Sequence, residues 1–385
     1  MARVQPPVIP IIHQLIAANP GTISLGQGVV HYGPPPGALR AAAAFSNAPR
    51  GESLANHRYG NVAGTAELRG LLQTKLAVEN RIALQDEREL LVSAGANMAF
   101  VNAVLAIADP GDEIILLAPY FFNHEMAVVT AGCRPRVVAT DARHHPIREA
   151  IEAAITERTR AVVTVSPNNP SGAVYSPAEL EQINQLCAAR DLFHIHDEAY
   201  EYFTYATPHF SPGSLAAARA HTVSLFSLSK SYGFASWRIG YMVMPARLYD
   251  PVAKIQDTLL ICPPLISQAA AVGALQAGRE YCRQQRAQTE AVRTQALAAL
   301  SELGDLVAKP QAEGAFYLLL RVNTDIEPME LTRRLVEQHR VAVLPGTAFG
   351  MQGCYLRMSY GALAPTDAAE GVGRLVAGIK AEVGK

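Results

Sequence analysis

The alternation of apolar and amphipathic segments between residues 46 and 280 limits, more than any other feature, the folds open to this chain. Short apolar runs are separated by stretches with helical periodicity, such as Asn97–Ile107, Ile147–Ile155 and Pro177–Ala189. This alternation predicts an α/β fold in which helices cover both faces of a mainly parallel sheet. The predicted strands are Glu89–Val92, Asp112–Leu117, Arg136–Ala139, Ala161–Val165, Leu192–His196, Thr222–Ser227 and Ile239–Met244.

The segments on either side of this region are patterned differently. Residues 1–45 are expected to form an N-terminal arm that also contributes to a small domain. The alanine-rich stretch Leu265–Leu303 predicts one or two helices that lead out of the sheet region. Strand-like and helix-like patterns follow it. The expected division is therefore an arm at 1–45, a large domain at 46–285 and a small α+β domain at 286–385.

Composition narrows the possible partners. Of the 385 residues, 49% are hydrophobic and 17% are charged, and the formal net charge is −1. This balance lacks the basic excess of proteins that bind nucleic acid or membranes, so we expect neither partner. The first residues lack the apolar core of a signal peptide, and no apolar run approaches membrane-spanning length. Five scattered cysteines without a C-x-x-C pair favour free thiols and a cytoplasmic protein.

The most informative polar residues follow the predicted strand Thr222–Ser227. Lys230 comes where that strand ends, and a desolvated lysine there has a lowered pKa and a nucleophilic amine. Arg238 lies eight residues later and carries a planar cation suited to a phosphate dianion. Ser227 adds a hydroxyl donor for the same anion. A Schiff-base lysine flanked by phosphate ligands is what a pyridoxal phosphate (PLP) enzyme requires.

The stretch from Ser227 to Gly240, S-L-S-K-S-Y-G-F-A-S-W-R-I-G, resembles the signature of a known family. It is similar to the Ser-x-Ser-Lys and Gly-x-Arg-x-Gly motifs of the fold-type I, class I/II PLP-dependent aminotransferases. Ser236 is the one departure, since relatives usually have glycine there, while Gly233 still supplies backbone freedom. The resemblance extends over nearly the whole chain and implies a seven-stranded large domain with a smaller α+β domain.

Several residues match the family's phosphate ligands. The resemblance implies that Gly95, Ala96 and Asn97, at a strand-to-helix turn, cradle the phosphate with their backbone N–H groups, a recurrent property of helix N-termini. Ser227 and Arg238 are expected to bind the same phosphate. Tyr59, in the segment R-Y-G-N-V-A-G, matches a tyrosine that reaches the phosphate of the neighbouring subunit. The resemblance therefore implies a homodimer with shared active sites.

Other residues match the ligands of the cofactor ring. In the family an aromatic residue stacks on the pyridine, which here means Phe121, with Tyr120 as the alternative. Asp197 is expected to hold the proton of the pyridine nitrogen, which keeps the ring able to accept electrons. Asn169, in N-N-P-S-G, and Tyr200 are expected to hydrogen-bond the phenolic oxygen.

The expected substrate contacts come from three parts of the chain. Arg357, the one charge in the strand-like Y-L-R-M-S-Y, matches the arginine that grips the substrate α-carboxylate as a bidentate pair. Gly28, in L-G-Q-G, and Asn169 also match substrate-binding positions. Beyond Gly28 the sequence V-H-Y replaces the P-D-F of many relatives, so the side-chain preference cannot be carried over from them.

The resemblance implies that the protein moves the α-amino group of an L-amino acid to a 2-oxo acid, with 2-oxoglutarate as the expected acceptor, by a ping-pong mechanism. Lys230 would carry PLP and act as general base, and Asp197 and Tyr200 complete the expected catalytic set. Aspartate, aromatic and sulfur amino acids are the candidate donors.

Three alternatives remain open at this point. The same site could catalyse another PLP reaction, such as C–S β-elimination or cyclopropane formation. Alternatively, the fold could serve as a PLP-sensing regulator, although no room for a DNA-binding module precedes Gly26. A metal enzyme is the third, because His194 and His196 share a strand face beside Asp197 and Glu198. A zinc site needs further ligands that the sequence does not supply, so we expect no metal.

Overall fold

A computed structural model describes residues 4–49, 54–84 and 87–384. Residues 50–53 and 85–86 of the predicted large domain lie outside it, as do residues 1–3 and 385. The strands are β1 (Ile23–Ser24), β2 (Arg88–Ser93), β3 (Glu113–Ala118), β4 (Arg134–Ala139), β5 (Thr159–Val165), β6 (Phe193–Asp197), β7 (Thr222–Ser227), β8 (Gly240–Pro245), β9 (Tyr317–Arg321), β10 (Val341–Ala342), β11 (Leu344–Pro345) and β12 (Tyr355–Ser359). The α-helices with both ends described are α1 (Val8–Ala18), α2 (Pro36–Ser46), α3 (Ala66–Lys75), α4 (Ala96–Ile107), α5 (Phe122–Thr130), α6 (Arg148–Ala153), α7 (Pro177–Ala189), α8 (Leu228–Ser231), α9 (Tyr249–Leu259), α10 (Leu265–Leu275), α11 (Gly278–Leu300), α12 (Pro328–His339) and α13 (Pro365–Val383).

The largest sheet has seven strands in the order β2-β8-β7-β6-β5-β3-β4. Neighbouring strands are parallel except at β8, which runs antiparallel to both β2 and β7. Each of the seven predicted strands overlaps one strand of this sheet. The predicted α/β fold with a mainly parallel seven-stranded sheet is therefore confirmed.

Helices cover both faces of this sheet. The packing of β3 on both faces explains why the sequence of this strand is apolar throughout. Ile114 and Leu116 pack into a core that contains residues of α4. Ile115 and Leu117 point to the opposite face and pack against Ile183 of α7. Side chains alternate across a strand, so a strand buried on both faces needs apolar residues at successive positions. Each such buried side chain contributes roughly 1.5–3 kcal/mol.

A second, smaller sheet is built from the C-terminal part of the chain. Its strands β11, β12 and β9 are antiparallel. The arm joins this part of the molecule, because β1 pairs in parallel with β10 and places Ile23 opposite Val341. Helix α1 also packs here, with Val8 and Ile12 in one cluster with Phe349. These contacts accord with the expected contribution of the arm, while the domain boundaries stay a prediction.

Helix ends follow local signals. Helix α7 begins after Ser176, whose side chain accepts from the Glu179 N–H while the Glu179 carboxylate accepts from the Ser176 N–H. This reciprocal cap satisfies two backbone donors and explains why its start was predictable. The alanine-rich stretch forms two helices, α10 and α11, and Gly278, the first residue of α11, has φ +69°. Among the described helices, none is both long and apolar enough to cross a lipid bilayer.

The parallel strands bring several polar residues to one edge of the large sheet. Strands β5 and β6 are in register, so Val165 lies opposite Asp197 at their carboxyl ends. Strand β7 ends beside them at Ser227, which pairs with Gly240 of β8. In open α/β sheets ligands bind at the carboxyl edge, so a functional site is expected there.

Candidate active site

A cavity of about 260 Å³ opens at the carboxyl edge of the seven-stranded sheet. Eleven of the thirteen predicted site residues line it: Gly28, Ala96, Asn97, Phe121, Asn169, Asp197, Tyr200, Ser227, Lys230, Arg238 and Arg357. Gly95 lies directly beneath the Arg238 guanidinium. Tyr59 does not line the cavity of its own chain and is 80% exposed. The structure thus brings together residues from the arm, the large sheet and the C-terminal sheet.

Lys230 lies on the one-turn helix α8, directly after β7. Ser227 caps this turn by accepting a hydrogen bond from the Ser229 N–H at 3.1 Å. The Lys230 Nζ donates to the Gly28 carbonyl at 2.5 Å. The pKa of Lys230 is lowered from 10.5 to about 8, chiefly by burial and to a smaller extent by the cations Arg238 and Arg357, while Asp197 opposes the shift. A lysine with this pKa supplies a neutral, nucleophilic amine at mildly alkaline pH.

This lowered pKa predicts the pH dependence of the reaction between the cofactor-free protein and PLP. Covalent attachment at Lys230 should rise with pH and level off above about pH 8, where the amine is neutral. An ordinary lysine would continue to gain reactivity up to a pKa of about 10.4. The attachment is measured by borohydride reduction at each pH and mass spectrometry of the Lys230 peptide, with the exposed Lys254 as internal reference. If attachment of PLP levelled off only above pH 10, the buried environment assigned to Lys230 would be wrong.

A separate part of the cavity is built to bind an anion. The turn between β2 and α4 places Ala96 and Asn97, the first residues of the helix, in the cavity lining. The first N–H groups of a helix have no partner within it and can bind an anion. Arg238 lies over this turn and donates from Nη2 to the Ala94 carbonyl at 3.4 Å. Gly95 has φ +84°, and a Cβ there would overlap the Arg238 guanidinium. The cradle fits a phosphate group, and the roles expected for the residues of this turn stay a prediction.

Replacing Gly95 by alanine should therefore weaken binding of PLP by about 10-fold or more, because the positive φ is strained for alanine and Arg238 must move. The affinity is measured from the absorbance of PLP retained after dialysis at graded PLP concentrations. Gly70→Ala is the matched control, since Gly70 lies within α3 and a Cβ there meets no atom within 4 Å. That variant should retain wild-type affinity, and equal weakening in both variants would refute the argument.

Asp197 lies at the end of β6 and is 5% exposed. Its Oδ1 accepts from the Ala199 N–H at 3.0 Å, and its Oδ2 lies 3.1 Å from Nε2 of His124. His124 was not predicted from the sequence. It stacks on Phe100 with ring centroids 4.0 Å apart, and its other ring nitrogen is buried without a hydrogen-bond partner among the described residues. The one available signal was that His124, on α5, comes three residues after Phe121, which directly precedes that helix.

The structure distinguishes between the two aromatic candidates for the pyridine face. Phe121 lines the cavity and contacts the His124 ring edge-on, with centroids 5.3 Å apart. Tyr120 points away and packs close to Gly350. The first-choice residue is therefore the one that lies in the cavity.

Arg357 is the most unusual group of the site, because it is a cation that is only 2% exposed. Its Nη1 donates to the Asn169 Oδ1 at 2.9 Å, and its Nη2 donates to the Gly26 carbonyl at 2.6 Å. Its guanidinium lies between the rings of Tyr317 and Phe349, at 4.5 and 5.0 Å. Within the described residues it forms no ion pair, and its Nε has no partner. A buried charge without a counter-ion is costly, so the site is suited to an anionic ligand.

The histidines of the alternative metal site are hydrogen-bonded to other side chains. The Thr164 hydroxyl lies 2.7 Å from His194 Nε2 and 2.6 Å from His196 Nδ1. Glu198 is buried against His209 at 2.7 Å. In the part of the chain that the structure describes, no group of three or more His, Cys, Asp or Glu residues is placed to bind a metal ion.

Comparison with known proteins places this site in a family. A profile described as aminotransferase class I and II matches residues 20–375. An aromatic aminotransferase of Arabidopsis thaliana is 34% identical over 384 residues, covering 97% of this chain and 94% of the relative. The aspartate/prephenate aminotransferase of Thermus thermophilus is 36% identical over 310 residues, covering 79% of this chain and 78% of the relative.

Solved structures agree with the sequence matches. A mutant of the aspartate aminotransferase of Thermus thermophilus superimposes with a TM-score of 0.88 at 30% identity, covering 98% of each chain. The aromatic aminotransferase of Pyrococcus horikoshii has a TM-score of 0.87 at 30% identity, covering 96% of this chain and 99% of that structure. These similarities favour an amino-acid aminotransferase over the alternative C–S β-lyase. The chain belongs to the aminotransferase class I and II family and is a PLP-dependent amino-acid aminotransferase.

Proposed function

We propose that this protein transfers the α-amino group of an aromatic or sulfur-containing L-amino acid to 2-oxoglutarate in two half-reactions. The observation that carries the proposal is the presence, in one cavity, of a lysine amine with a pKa of about 8 and a buried, unpaired arginine. The first suits covalent attachment of the cofactor, and the second suits an α-carboxylate. Both substrates carry such a carboxylate, which explains how one site can accept them in turn.

The proposed roles of the residues follow from their positions. When bound, PLP supplies an electron sink that weakens the bonds of the amino acid Cα. Lys230 binds the cofactor and then moves the proton at Cα, while Arg357 orients the carboxylate. Asp197, supported by His124, holds a proton on the ring nitrogen. The remaining proposed ligands are Gly95, Ala96, Asn97, Ser227 and Arg238 for the phosphate, Phe121 for the ring face, and Asn169 and Tyr200 for the phenolic oxygen.

The rest of the cavity lining supports a neutral substrate side chain. It includes Ile9, Val29 and Phe122, with Gln27 and Asn123 as polar but uncharged neighbours. The described cations of the lining, Lys230, Arg238 and Arg357, already have proposed roles. Among the described residues that line this cavity, the subunit therefore offers no free cation to the distal carboxylate of aspartate. Similar proteins are named both as aromatic and as aspartate aminotransferases, so aspartate is the main competitor to test.

The test is a screen of amino donors against the PLP-loaded enzyme. Each L-amino acid is mixed with the enzyme, and the absorbance of the bound cofactor is followed. Aromatic or sulfur donors should convert it to the pyridoxamine form, and 2-oxoglutarate should reverse the change. Conversion by aspartate alone would overturn the proposed donor class. Release of pyruvate and ammonia without conversion would overturn transamination itself.

We also propose that the protein is a homodimer with shared active sites. An exposed apolar set supports this, namely Leu39 (50% exposed), Leu54 (62%), Tyr59 (80%), Leu259 (52%), Ile261 (37%) and Ile266 (39%). A second copy would cover these side chains and bring its Tyr59 to the phosphate.

Light scattering should give twice the chain mass for the wild type. Leu39→Glu should lower the measured mass toward that of one chain. Val137→Glu is the control, since Val137 is 49% exposed on the edge strand β4, and it should leave the mass unchanged.

A cytoplasmic location is proposed on the state of the thiols. All five cysteines are free, and four of them are buried. Buried free thiols are typical of proteins kept in a reducing compartment. Cell fractionation with compartment markers tests this, and recovery with secreted or periplasmic markers would overturn it.

A further inference from the structure

Tyr317, the first residue of β9, contacts three parts of the site without having a role in the proposed function. It is completely buried, and it lines the cavity. Its hydroxyl lies 2.7 Å from the Tyr200 hydroxyl. Its ring lies 4.5 Å from the Arg357 guanidinium carbon. A Cβ on Gly28 would lie only 2.8 Å from the Tyr317 hydroxyl, so that glycine leaves the space this hydroxyl needs.

The direction of the hydrogen bonds around Tyr200 follows from Arg357. A guanidinium can only donate, so the Asn169 amide turns its Oδ1 toward Arg357. The amide Nδ2 then faces the Tyr200 oxygen at 3.4 Å. Tyr200 therefore already accepts one hydrogen bond from a donor whose orientation Arg357 sets.

The remaining question is which phenol donates in the Tyr200–Tyr317 pair. Without a ligand either oxygen can be the donor. A phenol has a single hydrogen, so if Tyr200 donates to an acceptor in the cavity, Tyr317 must donate to Tyr200. Burial raises the pKa of both phenols, so each keeps its hydrogen at neutral pH.

We propose that Tyr317 is a positioning residue: its hydroxyl donates to Tyr200 and directs the Tyr200 hydrogen into the cavity, while its ring holds the guanidinium of Arg357. This inference rests on the proposed function, in which Tyr200 donates to the phenolic oxygen of PLP. A hydroxyl that accepts hydrogen bonds becomes a stronger donor, because neighbouring hydrogen bonds polarise one another. Tyr317 thus links the group that binds the substrate carboxylate to the group that binds the cofactor oxygen.

The test for the hydroxyl is Tyr317→Phe, which retains the ring. The pH midpoint of the visible absorbance of the bound cofactor is measured in the PLP-loaded enzyme without substrate. A weaker hydrogen bond from Tyr200 to the phenolic oxygen of the cofactor makes that oxygen more basic. The bound cofactor then loses the proton held next to this oxygen only at higher pH. The midpoint should rise by about half a pH unit in Tyr317→Phe and by about one unit in Tyr200→Phe.

A double variant identifies the route of this effect. If Tyr317 acts through Tyr200, adding Tyr317→Phe to Tyr200→Phe should produce no further shift. The control is Tyr360→Phe, which removes a hydroxyl that is equally buried but donates to the Ala315 carbonyl at 3.2 Å, outside the cavity. Its midpoint should match the wild type. An unshifted Tyr317→Phe enzyme, or a further shift in the double variant, would overturn the inference.

The ring contact is tested separately with Tyr317→Leu. Loss of the ring beside Arg357 should raise the half-saturating concentration of every amino donor by about 10-fold, whereas Tyr317→Phe should change it by less than about 3-fold. Equal increases in the two variants would overturn the role of the ring. If Tyr317→Leu does not fold, the absorbance titration of Tyr317→Phe still decides the inference. A wild-type enzyme that no amino acid converts would instead refute the proposed function.

Discussion

Lys230→Ala should lose at least about 10⁴-fold of its turnover, because the variant lacks both the covalent attachment of the cofactor and the group that moves the Cα proton. PLP should still bind, although more weakly, because the anion cradle at Gly95 and Arg238 remains intact. The half-reaction with the best amino donor is followed by stopped-flow absorbance, and PLP content is measured separately.

The control for this variant is Lys254→Ala, which removes an exposed lysine from α9. It should retain the wild-type rate. Separate measurement of PLP content distinguishes loss of chemistry from loss of cofactor. Full activity in Lys230→Ala would exclude the mechanism proposed above.

The second large effect is expected at Arg357. In the proposed binding mode, Arg357→Ala removes two charge-assisted hydrogen bonds to the substrate carboxylate, each worth roughly 1.5–3 kcal/mol. We therefore expect kcat/KM to fall by about 10²–10⁴-fold for all amino donors alike, since all carry this carboxylate. Arg357→Lys keeps the charge but loses the planar fork, and it should lie between the wild type and the alanine variant.

A substrate without a carboxylate isolates this interaction. 2-Phenylethylamine is phenylalanine without its carboxylate. Arg357→Ala should therefore change kcat/KM for 2-phenylethylamine only slightly, because this donor has no carboxylate for Arg357 to bind. Arg321→Ala is the matched protein control, since Arg321 is exposed on β9, the neighbouring strand to β12. An equal loss with both substrates would show that Arg357 supports the fold rather than the carboxylate.

The predicted elements agree with the structure where local patterns specify them. Strand β7 has the predicted bounds, as does helix α7, whose cap is formed by residues three apart. The predicted strand Arg136–Ala139 begins earlier, at Arg134, because this edge strand is exposed and its first residues carry no apolar signal. Pairing with β3, rather than hydropathy, extends it.

The sequence predicts which residues come together in the cavity only where those residues lie at or just after the ends of predicted strands. Asp197 and Ser227 end apolar strands and Lys230 follows one, and the parallel arrangement of those strands brings the three residues to one edge. The same reasoning could not place Tyr59 in its own chain's cavity, and the structure leaves it exposed. Its proposed partner lies in a second subunit, which no pattern within one chain describes.

The sequence by itself determined the sheet, the strand ends that carry the lysine and the aspartate, and the turn that forms the anion cradle, because each depends on residues close together in the chain. Only the tertiary structure decided that His124 meets Asp197, that Arg357 is buried between two rings, and that Tyr317 contacts Tyr200. Hydropathy records which side of an element is buried, but not which distant side chain lies opposite. Such contacts exist only after elements that are distant in the chain have packed together.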